Sequence, residues 1–219
     1  NLAGARLHVL HVSTAKELSL FSDAPLSSLK NITAEACIAH LFYDSEDYKT
    51  LGARIKCNPA IKSESNRTAL RAAVNSGLID VIATDHAPHL LNEKEGGALK
   101  AMSGMPMIQF SLVSMLELVN KGIFTLETIV EKMCHAPAQI YRINERGYIR
   151  EGYRADLVLV RPNTPWEVTT DRILSKCGWS PLEGHTFDWK IEKTFANGHL
   201  IYDDNTVDGT YRGEELRFN

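Results

Sequence analysis

The segment LIDVIATDHAPH, residues 78–89, is the most informative about the fold. Its apolar, β-branched first half is typical of a buried strand in a parallel sheet. The strand runs into Asp85 and His86, and His89 follows just beyond Pro88. In β/α proteins, reactive groups collect at the carboxyl ends of parallel strands. A carboxylate and two imidazoles at this point therefore indicate a functional site at a strand end.

The composition is that of an ordinary globular protein. The chain has 219 residues, 44% of them hydrophobic and 23% charged, and its formal net charge is −3. No basic block with interleaved aromatic residues is present, so we expect no nucleic-acid partner. No apolar run is long enough to span a membrane, and the opening NLAGARLHVLHV lacks the features of a secretion signal.

The cysteines are far apart and form no Cys-x-x-Cys motif, which favours reduced thiols in a cytoplasmic protein. They are Cys37, Cys57, Cys134 and Cys177. The chain begins with Asn1 rather than Met and enters a predicted strand almost at once. We therefore expect a piece of a longer protein.

Strands and helices alternate up to about residue 142. Strands are predicted at residues 5–12, 32–36 and 78–85, with a short extended segment at 54–61. Cap and stop residues bound the predicted helices. These helices are Ala15 to Phe21 behind the capping box of Thr14 and Glu17, residues 66–77 between Asn66 and Gly77, Ile108 to Lys121, and Leu126 to Cys134 between Thr125 and Pro137.

The pattern changes near residue 145. An alternating strand ends the stretch 146–160, and residues 192–205 predict a hairpin that turns at Asn197-Gly198. We therefore predict two domains, residues 1–142 and a small β-rich domain at residues 143–219 packed on the first. The β/α units of the first domain are compatible with a barrel or with a doubly wound sheet.

Two predicted strands end in residues suited to bind a metal: His11 ends the first and Asp85 the third. Imidazole and carboxylate are ligands for zinc, and zinc-bound water ionises near neutral pH. A carboxylate beside that water can carry its proton to a leaving nitrogen. Strand alternation predicts that His8 points away from the side of His11, and His86 away from the side of Asp85.

Each of these residues also has a simpler interpretation. A single histidine at a strand end is more often a hydrogen-bonded structural residue, and Asp before His is common where Asp caps a helix. Asn58 before Pro59 is usually turn chemistry, and Gly104 in Ser-Gly-Met-Pro is usually a loop glycine. Spacing alone favours a hydrolase by a small margin.

Five motifs taken together resemble the carboxyl-terminal half of the dihydroorotases, which are metal-dependent cyclic amidohydrolases. In chain order they are HVLHVSTAKE, ITAEACIAHL, KCNPAIKSESNRTAL, VIATDHAPHLLNEK and SGMP. GYIREGYRADLVLV and TFANGHLIYDD are similar to the small β domain that follows the barrel in these enzymes. The resemblance implies an α/β fold, with the carboxyl-terminal part of a (β/α)8 TIM-type barrel, about strands six to eight, plus a small β-rich domain.

The resemblance also implies roles for individual residues. His11 corresponds to the metal-binding histidine of the sixth strand, and Asp85 to the aspartate of the eighth strand, which binds a metal and moves the catalytic proton. Asn58, His89 and the backbone of Gly104 correspond to positions that contact the substrate. The implied cofactor is zinc, with two ions in the intact enzyme. His11 and Asp85 should then converge on one cavity mouth from two strands with one strand between them.

The implied reaction is the reversible hydrolysis of dihydroorotate to N-carbamoyl-L-aspartate in pyrimidine biosynthesis, in the cytoplasm. In the family, a metal-bridging hydroxide attacks the ring amide carbonyl. The implied partners are this small-molecule substrate and either a second copy of the chain or the missing amino-terminal half. No membrane partner is implied. His40 lies in a part of the family that is often rich in histidine, and we assign it no ligand role.

The chain departs from the family in a way that bears on activity. It lacks the His-x-His-x-Arg motif of the first strand and the ligands of the middle strands. His8 and His11 do not replace that motif, because their spacing differs and they map to another strand. Catalytic zinc normally has three protein ligands. We therefore expect a fragment that is inactive on its own.

Three questions stay open at the level of sequence. A sister cyclic amidohydrolase acting on hydantoin or allantoin would share most of these motifs. A non-catalytic scaffold subunit is a further alternative, although a scaffold has no need of a proton-moving Asp85. The polar loop Leu90–Ser103 is either a mobile cover over the site or a solvated connection.

Overall fold

The computed structural model describes residues 3–28 and 30–219. In this part of the chain, three parallel strands form one sheet in the order β1-β2-β3. Two antiparallel sheets follow, one with the order β4-β7-β8-β9 and one that pairs β5 with β6. The strands are β1 (Leu7–Val9), β2 (Ile32–Cys37), β3 (Val81–Ala83), β4 (Leu157–Arg161), β5 (Trp166–Glu167), β6 (Thr186–Phe187), β7 (Lys190–Ala196), β8 (His199–Asp203) and β9 (Thr206–Val207).

Most of the helices lie before residue 142, and the described residues as a whole form a mixed α/β structure, as predicted. Short 3₁₀ turns join several of the elements, among them residues 91–94. The α-helices are α1 (Ile38–Phe42), α2 (Tyr48–Leu51), α3 (Glu64–Ser76), α4 (Gly97–Lys100), α5 (Ser111–Asn120), α6 (Leu126–Val130) and α7 (Ala136–Ile140).

The three parallel strands lie where the sequence predicts them, but two are much shorter than predicted. Residues 5–12 contain only β1, and residues 78–85 contain only β3. The chain leaves the extended conformation after each of these strands, and it reaches a positive φ at His11 (40°) and Asp85 (46°). Past β1 the chain keeps one backbone hydrogen bond to β2, from the Val12 N–H to the Glu35 carbonyl oxygen at 2.9 Å, and Val12 is buried whereas Leu10 is exposed.

The predicted cap of α3 is wrong, whereas its predicted stop is confirmed. The helix begins before Asn66, whose side chain instead accepts a hydrogen bond from the Ala15 backbone (2.9 Å) and donates one to the Ser63 hydroxyl (2.9 Å). Gly77 ends the helix in the left-handed conformation, with φ 89°. The capping box of Thr14 and Glu17 is also confirmed, although the helix behind it, Ala15–Leu20, is 3₁₀.

Pro137 does not end the helix that begins at Leu126, so this prediction is wrong. After α6 the chain forms a π-helical turn, Glu131–His135, and continues directly into α7. Pro137 stands in the first turn of α7. A proline lacks the backbone N–H that an α-helical turn needs, and a wider turn before it removes the conflict.

The predicted hairpin at residues 192–205 is confirmed. β7 and β8 pair antiparallel, and Asn197 and Gly198 join them. Both residues have a positive φ, 50° and 84°, as a two-residue turn of the I′ type requires.

The main hydrophobic core lies on one face of the parallel sheet. Ala34 and Ala36 of β2 and Ile82 of β3 are buried there against Leu70 and Val74 of α3. Full burial of one such leucine contributes roughly 1.5–3 kcal/mol. The core continues without a break into the segment that carries β5 and β6, which adds Val168, Trp179, Leu182, Phe187 and Trp189.

A buried ion pair joins the chain just before β2 to the chain just before β3. Lys30 Nζ lies 2.7 Å from Asp80 Oδ1, and both side chains are almost fully buried. Asp80 Oδ2 also accepts a hydrogen bond from the Ala34 backbone N–H at 2.9 Å. This network holds β2 and β3 together at their amino-terminal ends.

Within the ranges that the structure describes, no helix is both long enough and apolar enough to cross a membrane. The four cysteines are free, and Cys37 and Cys57 are buried.

Candidate functional site

The predicted metal-binding residues follow the two outer strands of the parallel sheet. Because β1, β2 and β3 are parallel and adjacent, their carboxyl ends meet at one edge, with β2 between the other two. Neighbouring strands lie about 4.8 Å apart, which puts the ends of β1 and β3 roughly 10 Å apart. His11 and Asp85 both occupy the left-handed region, where a residue with a side chain is strained by about 1–2 kcal/mol. Such strain is typical of functional positions.

His40 is buried at the same edge of the sheet, since α1 directly follows β2. The residue is only 3% exposed. Burial lowers the pKa of His40, and the hydrogen bond to the Pro59 carbonyl opposes this effect. The smaller effects of nearby charges follow: Lys62 and His11 lower the pKa, and Asp85 raises it.

The tautomer of His40 follows from its hydrogen bond. His40 Nε2 lies 2.8 Å from the carbonyl oxygen of Pro59, and a carbonyl only accepts. Nε2 therefore carries the hydrogen, and the lone pair of the neutral ring is on Nδ1. Among the residues that the structure describes, Nδ1 has no hydrogen-bond partner. His40 thus supports the turn that follows Asn58, a role that the sequence did not indicate.

Two buried thiols border the site and stay protonated. Burial, and after it the negative charge of Asp85, raise the pKa of Cys57 to about 11. The pKa of Cys37 is raised for the same main reason, burial, and then by Glu35 and Asp85. Neither residue therefore offers a thiolate nucleophile near neutral pH.

Glu35 of β2 organises the sheet face opposite the main core. Its carboxylate lies 3.2 Å from His8 Nε2 and accepts a hydrogen bond from the His11 backbone N–H at 3.3 Å. Glu35 is paired in register with Val81, so His8 lies on the sheet face that carries Val81.

The alternation predicted for β1 does not extend as far as His11. His8 lies on the face of Glu35 and Val9 packs against the main core, and the predicted relation between the His8 and His11 side chains stays a prediction. The reason is that the extended strand ends before His11, so residue parity does not carry through to it. His86 turns toward the segment before α5, where its Nδ1 accepts a hydrogen bond from the Ile108 backbone N–H at 3.2 Å. Burial lowers the pKa of His86.

His89 is held in one orientation by the loop that follows it. Its Nε2 donates to the Ser103 carbonyl oxygen at 3.0 Å, which leaves Nδ1 toward Glu93 at 3.7 Å. The His89 backbone carbonyl accepts a hydrogen bond from Trp179 Nε1 at 2.8 Å. These contacts fix both the ring and the backbone of His89.

Gly104 is packed against His89 and Ala87 in a way that excludes a side chain. Its φ is 123°, and an added Cβ would lie 2.4 Å from the Ala87 Cβ and 3.3 Å from His89 Cδ2. Both backbone polar groups of Gly104 already have protein partners. Its N–H donates to the Lys56 carbonyl oxygen at 2.8 Å, and its carbonyl accepts from Lys94 Nζ at 2.5 Å.

The structure thus ties the three predicted substrate contacts together. His89 and Gly104 are in contact, and Gly104 is bonded to Lys56, two residues before the exposed Asn58. His40, through Pro59, braces the other side of Asn58.

The donors present do not make a complete metal site. Across residues 3–28 and 30–219, no group of three or more histidine, cysteine, aspartate or glutamate side chains is arranged to hold a metal ion. His11 and Asp85 offer two donors, whereas catalytic zinc normally has three protein ligands. The described residues therefore do not fit a resident zinc ion by themselves.

Sequence reasoning missed Glu35, His40 and Lys94 as parts of this site. A glutamate inside the otherwise apolar ITAEAC strand was an available signal, because a buried charge needs a partner. The burial of Lys94 left no such signal, since the surrounding loop is polar.

Three comparisons place this chain among known proteins. The model of the amidohydrolase family matches residues 4–201. The dihydroorotase of Pyrococcus furiosus is 35% identical over 209 residues, which cover 95% of this chain and 48% of the relative. The allantoinase of Bacillus velezensis is 32% identical over 92% of this chain and 44% of its own length.

The L-hydantoinase (dihydropyrimidinase) from Arthrobacter aurescens has a similar structure. Its TM-score is 0.87 at 28% identity, and the match covers 94% of this chain and 47% of that protein. The chain therefore spans about half the length of the relatives it matches.

Proposed function

This chain belongs to the amidohydrolase family, and from that premise we propose that it is the carboxyl-terminal part of a dihydroorotase. The intact enzyme would hydrolyse dihydroorotate reversibly to N-carbamoyl-L-aspartate in pyrimidine biosynthesis. The observation that carries this proposal is the placement of His11 and Asp85. Both follow outer strands of the parallel sheet, both have a positive φ, and their strands end at the same edge of the sheet.

We propose that residues 1–142 form part of a (β/α)8 barrel, about strands six to eight, and that residues 143–219 form a small β-rich domain packed on it. Three adjacent parallel strands, joined by segments that contain helices, support the barrel assignment. A whole barrel has eight strands. The antiparallel sheet after residue 157 supports the second domain, and the unbroken core supports its packing on the first.

In this proposal each residue of the chain has a defined task. Asp85, exposed at the end of β3, takes the proton of the attacking water and passes it to the departing ring nitrogen. Asn58 and His89 receive the ring carboxylate of dihydroorotate. The N–H of Gly104 is already engaged, so its backbone would meet the substrate through the second lone pair of its carbonyl oxygen or through its shape.

Zinc enters the proposal only as a metal that this chain helps to bind. His11 and Asp85 would be its contribution, and the remaining ligands would come from the rest of a longer protein. The described residues alone fall short of the usual three, so we propose that the isolated chain has no activity.

A sister cyclic amidohydrolase is the second candidate. The similarity to the L-hydantoinase, with a TM-score of 0.87, favours it, as does the match to an allantoinase. Hydantoin and allantoin lack the ring carboxylate that Asn58 and His89 would receive. Substrate preference therefore separates the two candidates.

The experiment is a substrate panel on the longer protein that contains this sequence, purified with zinc. We expect hydrolysis of dihydroorotate at a rate at least about a hundredfold above that of hydantoin and allantoin. Asp85→Asn should lower kcat by about a thousandfold or more, since loss of general acid–base catalysis costs roughly 10²–10⁴. Lys100→Met, an exposed change on α4, is the control and should leave kcat unchanged. Faster turnover of hydantoin or allantoin would overturn the dihydroorotase assignment.

A further inference from the structure

Lys94 is a buried cation whose three donors are all taken by backbone carbonyl groups. The residue is 4% exposed although its neighbours in the polar loop are mostly exposed. Its Nζ lies 3.0 Å from the Lys56 carbonyl oxygen, 2.7 Å from that of Met102 and 2.5 Å from that of Gly104. An ammonium has three N–H donors and no acceptor, so the group is fully used.

These contacts join two segments that are far apart in sequence. The Lys56 carbonyl oxygen lies on the short extended segment that leads to Asn58, and it also accepts from the Gly104 N–H at 2.8 Å. The Met102 and Gly104 carbonyl groups lie where the loop returns toward the core. The Lys56 ammonium adds a second link, since its Nζ donates to the Ala101 carbonyl oxygen. Lys94 therefore binds the segment of Lys56, and Lys56 in turn binds the loop that carries Lys94.

No carboxylate neutralises Lys94 within 4.0 Å in the part of the chain that the structure describes. A buried ammonium without a counter-ion is costly, and it is retained only where its hydrogen bonds satisfy groups that would otherwise be unpaired. Here those groups are the carbonyl oxygens that close the loop 90–104 onto the Lys56 segment. An apolar residue of similar length would fill the space but would leave the Met102 carbonyl without this donor.

We propose that Lys94 is a positioning residue that holds the Lys56–Asn58 segment against Gly104, so that Asn58, His89 and Gly104 form one wall of the substrate site. That this wall binds substrate rests on the proposed function. The clamp, by which we mean the three hydrogen bonds from Lys94 Nζ to the Lys56, Met102 and Gly104 carbonyl oxygens, does not depend on it. The loop 90–103 is thereby anchored at its base, and the exposed residues around α4 form its outer part.

The first test is hydrogen exchange on the 219-residue chain. Lys94→Met should speed exchange of the Met102 and Gly104 amides by about tenfold or more, because it removes the charge-assisted hydrogen bonds to the Lys56, Met102 and Gly104 carbonyl groups that hold this part of the loop. Amides of α3 should keep their rates. Lys100→Met, on the exposed side of the same loop, is the matched control and should change neither set. Unchanged Met102 and Gly104 rates would overturn the proposal. Equal acceleration in α3 would also overturn it, because Lys94 would then support the whole fold.

The second test is kinetic and uses the longer protein that contains this sequence. A residue that positions only the substrate wall should act on binding, so Lys94→Met should raise KM for dihydroorotate by about tenfold or more. Its kcat and zinc content should stay within about threefold of the unsubstituted enzyme. A fall in kcat with KM unchanged would contradict the positioning role. If the unsubstituted protein does not turn over dihydroorotate, the proposed function fails while the exchange result still decides the clamp.

Discussion

At the residue scale, Gly104 shows how a backbone position can be decided by its neighbours. Its φ of 123° and the closeness of the Ala87 Cβ are two separate reasons for glycine. The first is a property of the backbone alone, and the second depends on the packing of the loop against Ala87. A substitution at another glycine that has a positive φ but open space around it can separate the cost of backbone strain from the cost of the close contact. Gly152 has φ 83° and open space around it.

We predict that Gly104→Ala destabilises the chain by roughly 2–5 kcal/mol, the sum of backbone strain and overpacking against Ala87. Gly152→Ala should cost roughly 1–2 kcal/mol, from backbone strain alone. Urea unfolding followed by circular dichroism measures both. Equal costs for the two variants would show that the contact with Ala87 relaxes without penalty.

At the scale of elements, the ion pair of Lys30 and Asp80 couples β2 to β3. The pair is buried and its carboxylate also binds the Ala34 backbone, so removing one partner leaves a buried charge and an unpaired N–H. The pair of Lys49 and Glu46 offers the opposite case. Those side chains are 74% and 72% exposed, and such surface pairs contribute little.

We predict that Asp80→Ala lowers the free energy of unfolding by roughly 3–5 kcal/mol, the usual cost of breaking a buried pair. Glu46→Ala should change it by less than about 0.5 kcal/mol. The double variant Lys30→Met/Asp80→Ala should recover part of the loss, because no uncompensated charge remains. Thermal and urea unfolding test all three, and a double variant no more stable than Asp80→Ala would contradict this explanation.

At the scale of the whole molecule, three observations suggest that this chain carries only part of a metal site. They are the strand order, the number of possible metal ligands and the share of the relatives' length that the chain covers. The two outer strands of the parallel sheet are followed by His11 and Asp85, which we propose as metal ligands, and the match covers 48% of the Pyrococcus furiosus dihydroorotase. Among the described residues, no group of three or more possible metal ligands is arranged to hold a metal ion. A complete site would therefore need residues from outside this sequence.

We predict that the purified 219-residue chain binds zinc weakly and does not hydrolyse dihydroorotate, even with zinc in excess. Calorimetric titration with zinc should show no tight saturable site, and His11→Ala should weaken what binding there is. Turnover at a normal enzymic rate by this chain alone would contradict the proposal. Tight zinc binding that His11→Ala leaves unchanged would place the metal elsewhere.

Local signals allowed much of the chain to be predicted. The cap at Thr14, the stop at Gly77 and the turn at Asn197-Gly198 could be predicted because each depends only on a few residues that are adjacent in the sequence. The positions of the parallel strands, the family resemblance and the pairing of His11 with Asp85 as strand-end residues were also available from the sequence. The strand ends were not, because each outer strand ends two residues before a position of positive φ, and the apolar pattern of the sequence does not reveal such a position.

What the sequence determined by itself was which chemical groups stand at the ends of which strands. What only the tertiary structure decided was how distant segments meet. His8 lies on the face of Glu35 because β1 pairs with β2 in the register that sets His8 beside Thr33. Pro137 is accommodated because a π-helical turn precedes it, and Lys94 is buried because three carbonyl oxygens surround it. The physical reason is that caps and turns depend on a few neighbouring residues, whereas burial and register depend on contacts between residues far apart in the chain.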